Sequence, residues 1–163
     1  MRFLTSFIAL CSVCVAVAQT APNIVNKPVK PFKMMSTDGK VFSQKTLMGK
    51  AYVLDFWATW CPPCVAAGPT IQSLSKKFAA SGFVALGANV SDTGKAVSAY
   101  KAKHHYSFPF TVSNDEYLDG LGFVGIPVFI FVDKKGIVRE VKSGFNEESS
   151  PLEFQKIVAN LIK

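Results

Sequence analysis

Charge is what this chain has little of. Asp and Glu number 11, Lys and Arg 18, and together they make up 18% of 163 residues, against 49% apolar residues. That balance excludes a disordered tail and fits one compact domain with a sizeable core. No run of Lys or Arg interleaved with aromatics occurs, so the footprint of a nucleic-acid binder is missing. No internal repeat or low-complexity segment is present. His occurs twice only, at the adjacent positions 104 and 105, whose side chains diverge on a helix. Neither is spaced to complete a zinc site with a cysteine pair, and neither is given a role. The formal net charge of +7 fits a solvated basic surface; attraction to an anionic membrane surface or an acidic partner is the alternative.

Cysteine is also scarce, with four in all, in two C-x-x-C pairs. The first pair, Cys11 and Cys14, lies in a segment that reads as a signal peptide, residues 1–18. Arg2 supplies a positive start, and Phe3 to Val17 is apolar but short for a bilayer span. Ala16-Val17-Ala18 places small residues where a signal peptidase reads them. Cleavage after Ala18 is expected, with retention as an anchor the alternative. The mature chain then keeps Cys61 and Cys64 alone. Two cysteines three apart are no stapling framework for a domain of this size. They read as a reactive pair exported to an oxidising compartment.

Residues 19–30 read as an extended N-terminal arm, and 31–163 as the folded domain. Phe32 to Met35 and Val41-Phe42 form a hairpin around Asp38-Gly39. A helical turn over Ser43 to Met48 follows. Ala51 to Phe56, apolar except for Asp55, reads as a strand covered on both faces. A helix over about 61–80 carries Ile71, Leu74 and Phe78 on one stripe. Phe83 to Val90 is a second buried strand. A helix over about 93–105 turns Ala96, Val97, Ala99 and Tyr100 inward, and Phe108-Pro109-Phe110 ends that connection. Pro127 to Val132 and Ile137 to Lys142 are strands joined by the Asp133–Gly136 turn. Ser150 is expected to cap the last helix, with Pro151 first and Glu153 closing a capping box. Phe154, Ile157, Val158 and Leu161 form its buried face. The order specifies an α/β fold: a mixed sheet with helices on both sides and a hairpin in front.

Cys61-Pro62-Pro63-Cys64 follows a buried strand and opens a helix. Helix N-terminal amides lower a thiol pKa there, so Cys61 is the candidate nucleophile. The prolines need no amide partner and stiffen the loop. Cys64, one turn in and expected to be the more buried, is the candidate resolving thiol. A half zinc site and a permanent disulfide are the bland alternatives; a disulfide closing so small a loop contributes little stability. Asp55 should have a raised pKa through burial. It is placed to take the Cys64 proton, in competition with a purely structural role. Gly125-Ile126-Pro127 leads into a buried strand. A cis bond there would free the Ile126 backbone for an extended substrate, although the residues alone favour an ordinary trans proline.

Leu54-Asp55-Phe56-Trp57-Ala58-Thr59-Trp60-Cys61-Pro62-Pro63-Cys64 resembles the active-site segment of the thioredoxin superfamily. The exported TlpA/ResA-like branch is most similar, over about residues 28–163. The Asp38-Gly39 hairpin, Leu47–Lys50, Gly125-Ile126-Pro127 and the 133–136 turn share in it. The resemblance implies a thioredoxin fold and dithiol–disulfide exchange needing no cofactor and no metal. Cys61 would attack, Cys64 resolve, and Pro127 be the cis-proline. Trp60, Pro62, Pro63 and Ile126 would complete a substrate groove, and Pro69 kink the active-site helix. It further implies protein disulfide substrates, a membrane thiol-electron donor, a periplasmic or secreted location, and for many members service to cytochrome c maturation. Disulfide oxidase or isomerase activity, or a Cu(I)- or Zn-binding module, are the rivals, with a non-enzymatic binding domain behind them. The sequence departs from the branch in four ways. Asp55 stands where many members carry Asn. Ala67 replaces a Glu. Ala85–Asn89 holds no lysine to partner Asp55, as thioredoxin's does. Val128 replaces a common Thr.

Overall fold

The computed structural model describes residues 22–163. The expected signal segment, with Cys11, Cys14 and cleavage after Ala18, lies outside the described residues.

Five strands make the central sheet: β3 (Tyr52–Trp57), β4 (Val84–Asn89), β5 (Phe110–Thr111), β6 (Val128–Val132) and β7 (Val138–Ser143). Their order is β5-β4-β3-β6-β7. β3 runs parallel to β4 and antiparallel to β6, with Asp55 opposite Gly87 on one side and Phe129 on the other. β3 and β6 are buried at every position, as the apolar runs required. In front, β1 (Lys33–Met35) and β2 (Val41–Ser43) pair as the expected hairpin, and Gly39 at its turn has φ 83°. The left-handed region admits glycine without steric cost. Residues 26–29 of the arm bond to the backbone of Gly136 and Val138.

The pleat sends alternate residues of β3 to opposite layers. Val53 and Trp57 join a core built with α1 (Pro62–Lys77), α2 (Gly94–Lys103) and α4 (Ser150–Leu161). Tyr52, Leu54 and Phe56 join the other core, with Met34 of the hairpin and Leu118 of α3 (Asp115–Gly120). Asp55 therefore points into the layer that α1 covers. Ile71, Leu74 and Phe78 are buried as expected, and Pro69 lies inside α1. The helix stops at Lys77; a 3-10 turn, Ala79–Ser81, and Gly82 at φ 75° finish the connection.

Three local expectations need correction. Ala96 and Ala99 are exposed; α2 packs through Val97, with Tyr100 half-buried, a narrower stripe than the spacing suggested. The segment from Phe108 is not mere connection, because Phe110–Thr111 adds an edge strand and α3 follows it. The capping box at α4 does not form. Ser150 is already inside the helix and its Oγ accepts from the Asn146 N–H at 3.0 Å, while Glu153 reaches Lys142 at 2.7 Å. Asn146 Oδ1 takes the Glu148 and Ser149 N–H groups, each at 3.0 Å. The donors that the box would have served go to backbone carbonyls instead: the Ser150 N–H to Asn146 at 3.0 Å and the Glu153 N–H to Ser149 at 3.2 Å.

Candidate active site

The chain leaves β3 at Trp57 and crosses Ala58-Thr59-Trp60. Cys61 is the N-cap of α1, and Pro62 and Pro63 occupy its first positions. Those positions need no intrahelical donor, which is why two prolines fit there. Cys61 Sγ accepts the Cys64 N–H at 3.3 Å, so a cysteine does what Ser or Asp does at most helix starts. Cys61 and Cys64 are joined by a disulfide, with Cα atoms 5.2 Å apart. Cys61 and Cys64 are 4% and 3% exposed, so burial does not separate their roles as expected; position at the helix end does. When the pair is reduced, the sulfur that receives helix N–H density is the better-stabilised thiolate.

The Ile126–Pro127 peptide is cis, as the resemblance implied and against the trans form that the residues alone favoured. Cys61 Sγ lies 3.9 Å from the Ile126 carbonyl oxygen. Pro127 is buried, Ile126 half-buried, and Pro62 and Pro63 are exposed. Trp60 is 64% exposed on the cysteine loop, and Val124 is 82% exposed on the proline loop. The structure thus brings Cys61 of the cysteine loop, which also carries Trp60, Pro62, Pro63 and Cys64, against Ile126 of the proline loop. Val124 was not singled out from the sequence; an apolar pair, Phe123-Val124, between Gly122 and Gly125 was the available signal.

Asp55 is 4% exposed, and its Oδ1 is buried without a hydrogen-bond partner. Burial alone pushes its pKa up to about 8. The absence of a partnering lysine has a structural reason. Gly87 stands beside Asp55 in register, and a Cβ built on Gly87 would lie 2.7 Å from the Phe110 ring. Phe110 occupies the space that a side chain at 87 would need. Trp57 packs against Tyr100 and Phe110 at 4.9 and 5.0 Å, and its Nε1 is also buried without a partner.

The cysteine loop is held from the β4–α2 connection. Asp92 accepts the Thr59 N–H and the Thr59 hydroxyl, both at 2.7 Å. Trp60 Nε1 donates to Ser91 Oγ at 3.0 Å. These contacts span more than thirty residues, and only Asn89-Val90-Ser91-Asp92 at a strand end could have hinted at them.

The redoxin family's sequence profile matches residues 16–160. The chain belongs to the redoxin family. It is a thioredoxin-fold thiol:disulfide oxidoreductase, and Cys61 and Cys64 are placed as its redox-active dithiol. It is 29% identical to the thiol:disulfide interchange protein DsbE of Pseudomonas fluorescens biotype C, covering 80% of this chain and 73% of that one. It is 27% identical to the thiol-disulfide oxidoreductase ResA of Bacillus subtilis strain 168, covering 78% and 72%. Among solved structures, a thioredoxin-family thiol:disulfide interchange protein from Chlorobium tepidum TLS aligns with a TM-score of 0.71 at 31% identity, covering 83% and 96%.

Proposed function

We propose that this oxidoreductase acts outside the cytoplasm as a reductase of protein disulfides. The observation that carries the mechanism is Cys61 Sγ at the N-cap of α1, accepting the Cys64 N–H beside the Ile126 carbonyl. The Cys61 thiolate attacks a substrate disulfide, forms a mixed disulfide and releases one substrate thiolate. Cys64 loses its proton to the Asp55 carboxylate, through a water, and attacks Cys61 Sγ. The second substrate thiolate leaves, and two electrons have passed from the dithiol to the substrate. A membrane thiol donor returns them by the reverse exchange. Trp60, Pro62, Pro63, Ile126 and Pro127 hold the substrate strand. Domain 31–163 does this work, preceded by the arm 19–30 and a signal segment 1–18. Service to cytochrome c maturation fits the branch that the chain resembles.

One observation favours a second reading. A helix N-terminus that stabilises the Cys61 thiolate stabilises the reduced enzyme, which pushes the pair toward the oxidant end of its range. A disulfide donor would use the same geometry in the opposite direction.

The assignment of roles is tested with Cys64→Ser. Incubated with a disulfide-bearing protein, this variant accumulates a covalent complex through Cys61, whereas Cys61→Ser accumulates none. Trapping by Cys61→Ser alone reverses the roles.

A further inference from the structure

Asp92 lies outside the cysteine loop, the proline loop and β3, yet it is bound to the segment that carries Cys61. Besides the two bonds from Thr59, its Oδ2 accepts Asn89 Nδ2 at 2.7 Å. Asn89 is wholly buried, and its Oδ1 accepts the Ser91 and Asp92 N–H groups at 3.1 and 2.8 Å. The Asn89 carbonyl accepts from the Asn114 backbone N–H at 3.2 Å and from Asn114 Nδ2 at 2.9 Å. Asn114 Nδ2 also donates to Thr111 Oγ1 at 2.9 Å. Asn114 is the N-cap residue of α3, which leads into the loop carrying Pro127. Asn89 is therefore a shared anchor: one side holds the cysteine loop through Asp92, the other holds the start of the element that precedes the proline loop. Partial burial opposes ionisation of Asp92, but the bonds from Thr59 and Asn89 outweigh it, so its pKa falls below the usual carboxylate value. A carboxylate here satisfies three donors at once, which a neutral amide cannot do, since half of its polar surface is itself a donor.

We propose that Asp92 is a positioning residue for Cys61: its carboxylate clamps Thr59, and through Thr59 keeps Cys61 at the N-cap of α1 and facing the cis-proline loop. The inference rests on Cys61 as the attacking thiol. Thr59 is two residues from Cys61, so slack at its amide moves the sulfur relative to the helix N–H groups that stabilise its thiolate. Released from the clamp, Cys61 keeps its chemistry but loses part of that stabilisation.

The test measures the pH dependence of iodoacetamide alkylation of the reduced full chain, with the labelled cysteine mapped by mass spectrometry, alongside turnover on a protein disulfide. Three variants are compared: Asp92→Asn, Thr59→Val and the double substitution. The expected result is label on Cys61 in the parent, and an alkylation midpoint moved to higher pH in both single variants. Turnover drops about tenfold in Asp92→Asn and about threefold in Thr59→Val, and the double variant is no slower than Asp92→Asn, because one contact is removed twice. A merely structural role would lower the melting temperature and leave the midpoint unchanged; that result overturns the clamp. If Asp92→Asn does not fold, Thr59→Val decides alone: a raised midpoint supports the clamp and an unchanged one overturns it. Label on Cys64 in the parent overturns the assignment of the attacking thiol, and the clamp with it, whereas label on Cys61 with unmoved midpoints overturns the clamp only.

Discussion

Two aspartates flank the cysteine loop, and their surroundings differ in every respect that matters to a carboxylate. Asp55 sits in the middle of a fully buried strand, has a glycine and a phenylalanine as its register neighbours, and keeps one oxygen without any partner. Asp92 sits on a loop and accepts three hydrogen bonds. The first is therefore held protonated near neutral pH, with a pKa of about 8, and the second is held ionised. In the proposed mechanism the same side chain is a proton-transfer group where the fold starves it of partners, and a fixed anchor where the fold supplies them. A proton acceptor must be able to change state near the working pH; an anchor must not.

The comparison breaks most visibly at Asp55. Replacement with Asn removes the acceptor for the Cys64 proton, and turnover on a protein disulfide should fall roughly a hundredfold. The parent's rate should rise with pH up to about 8 as Asp55 ionises, and that rise should vanish in the variant. Stability should move the other way. Between the ordinary carboxylate value of 3.8 and about 8, the unfolded chain has lost this proton and the folded chain keeps it. The folded state binds more protons, so its stability falls as pH rises through that window. Asp55→Asn should thus stabilise the oxidised protein by about 5 kcal/mol at pH 8 and by almost nothing near pH 4 in urea titrations. A variant equally stable at both pH values would show that Asp55 ionises freely.

A smaller effect is expected beside it. Gly87→Ala places a Cβ 2.7 Å from the Phe110 ring, and overpacking of this kind costs about 1–3 kcal/mol. An unchanged melting temperature would mean that the slot beside Asp55 has room for a partner after all. On the Asp92 side, Thr111→Val deletes the acceptor for one of the two Asn114 Nδ2 bonds and should cost about 1 kcal/mol. It should leave the pH–rate profile in place, because Thr111 touches neither aspartate.

Much of this was legible in the sequence because it rests on local pattern. β3 and β6 are continuous apolar runs, Asp38-Gly39 marks its own turn, and a proline pair after a cysteine defines a helix start. Asp55 stood out as the one charge in a buried strand, and its raised pKa follows from that alone. What escaped depends on partners far along the chain. β5 is two residues long and exists because β4 offers it an edge. The Thr59–Asp92 contact joins residues 33 apart. The cap of α4 falls one residue earlier than the pattern suggests, because the turn at Asn146 starts the helix at Ser150 and backbone carbonyls of Asn146 and Ser149 take the Ser150 and Glu153 N–H groups. The cis form of Ile126–Pro127 was legible only through the family resemblance, since composition around a proline does not specify its isomer.

The central claim is that Cys61 and Cys64 form a dithiol that gives electrons to protein disulfides. The most direct measurement is the reduction potential of the pair, from equilibrium with glutathione or dithiothreitol and a thiol-reactive mass tag on Cys61 and Cys64. The account predicts a value toward the thioredoxin end, about −270 mV, as a reductase requires. A value near −120 mV would make the protein a disulfide donor and contradict the proposed direction of electron flow.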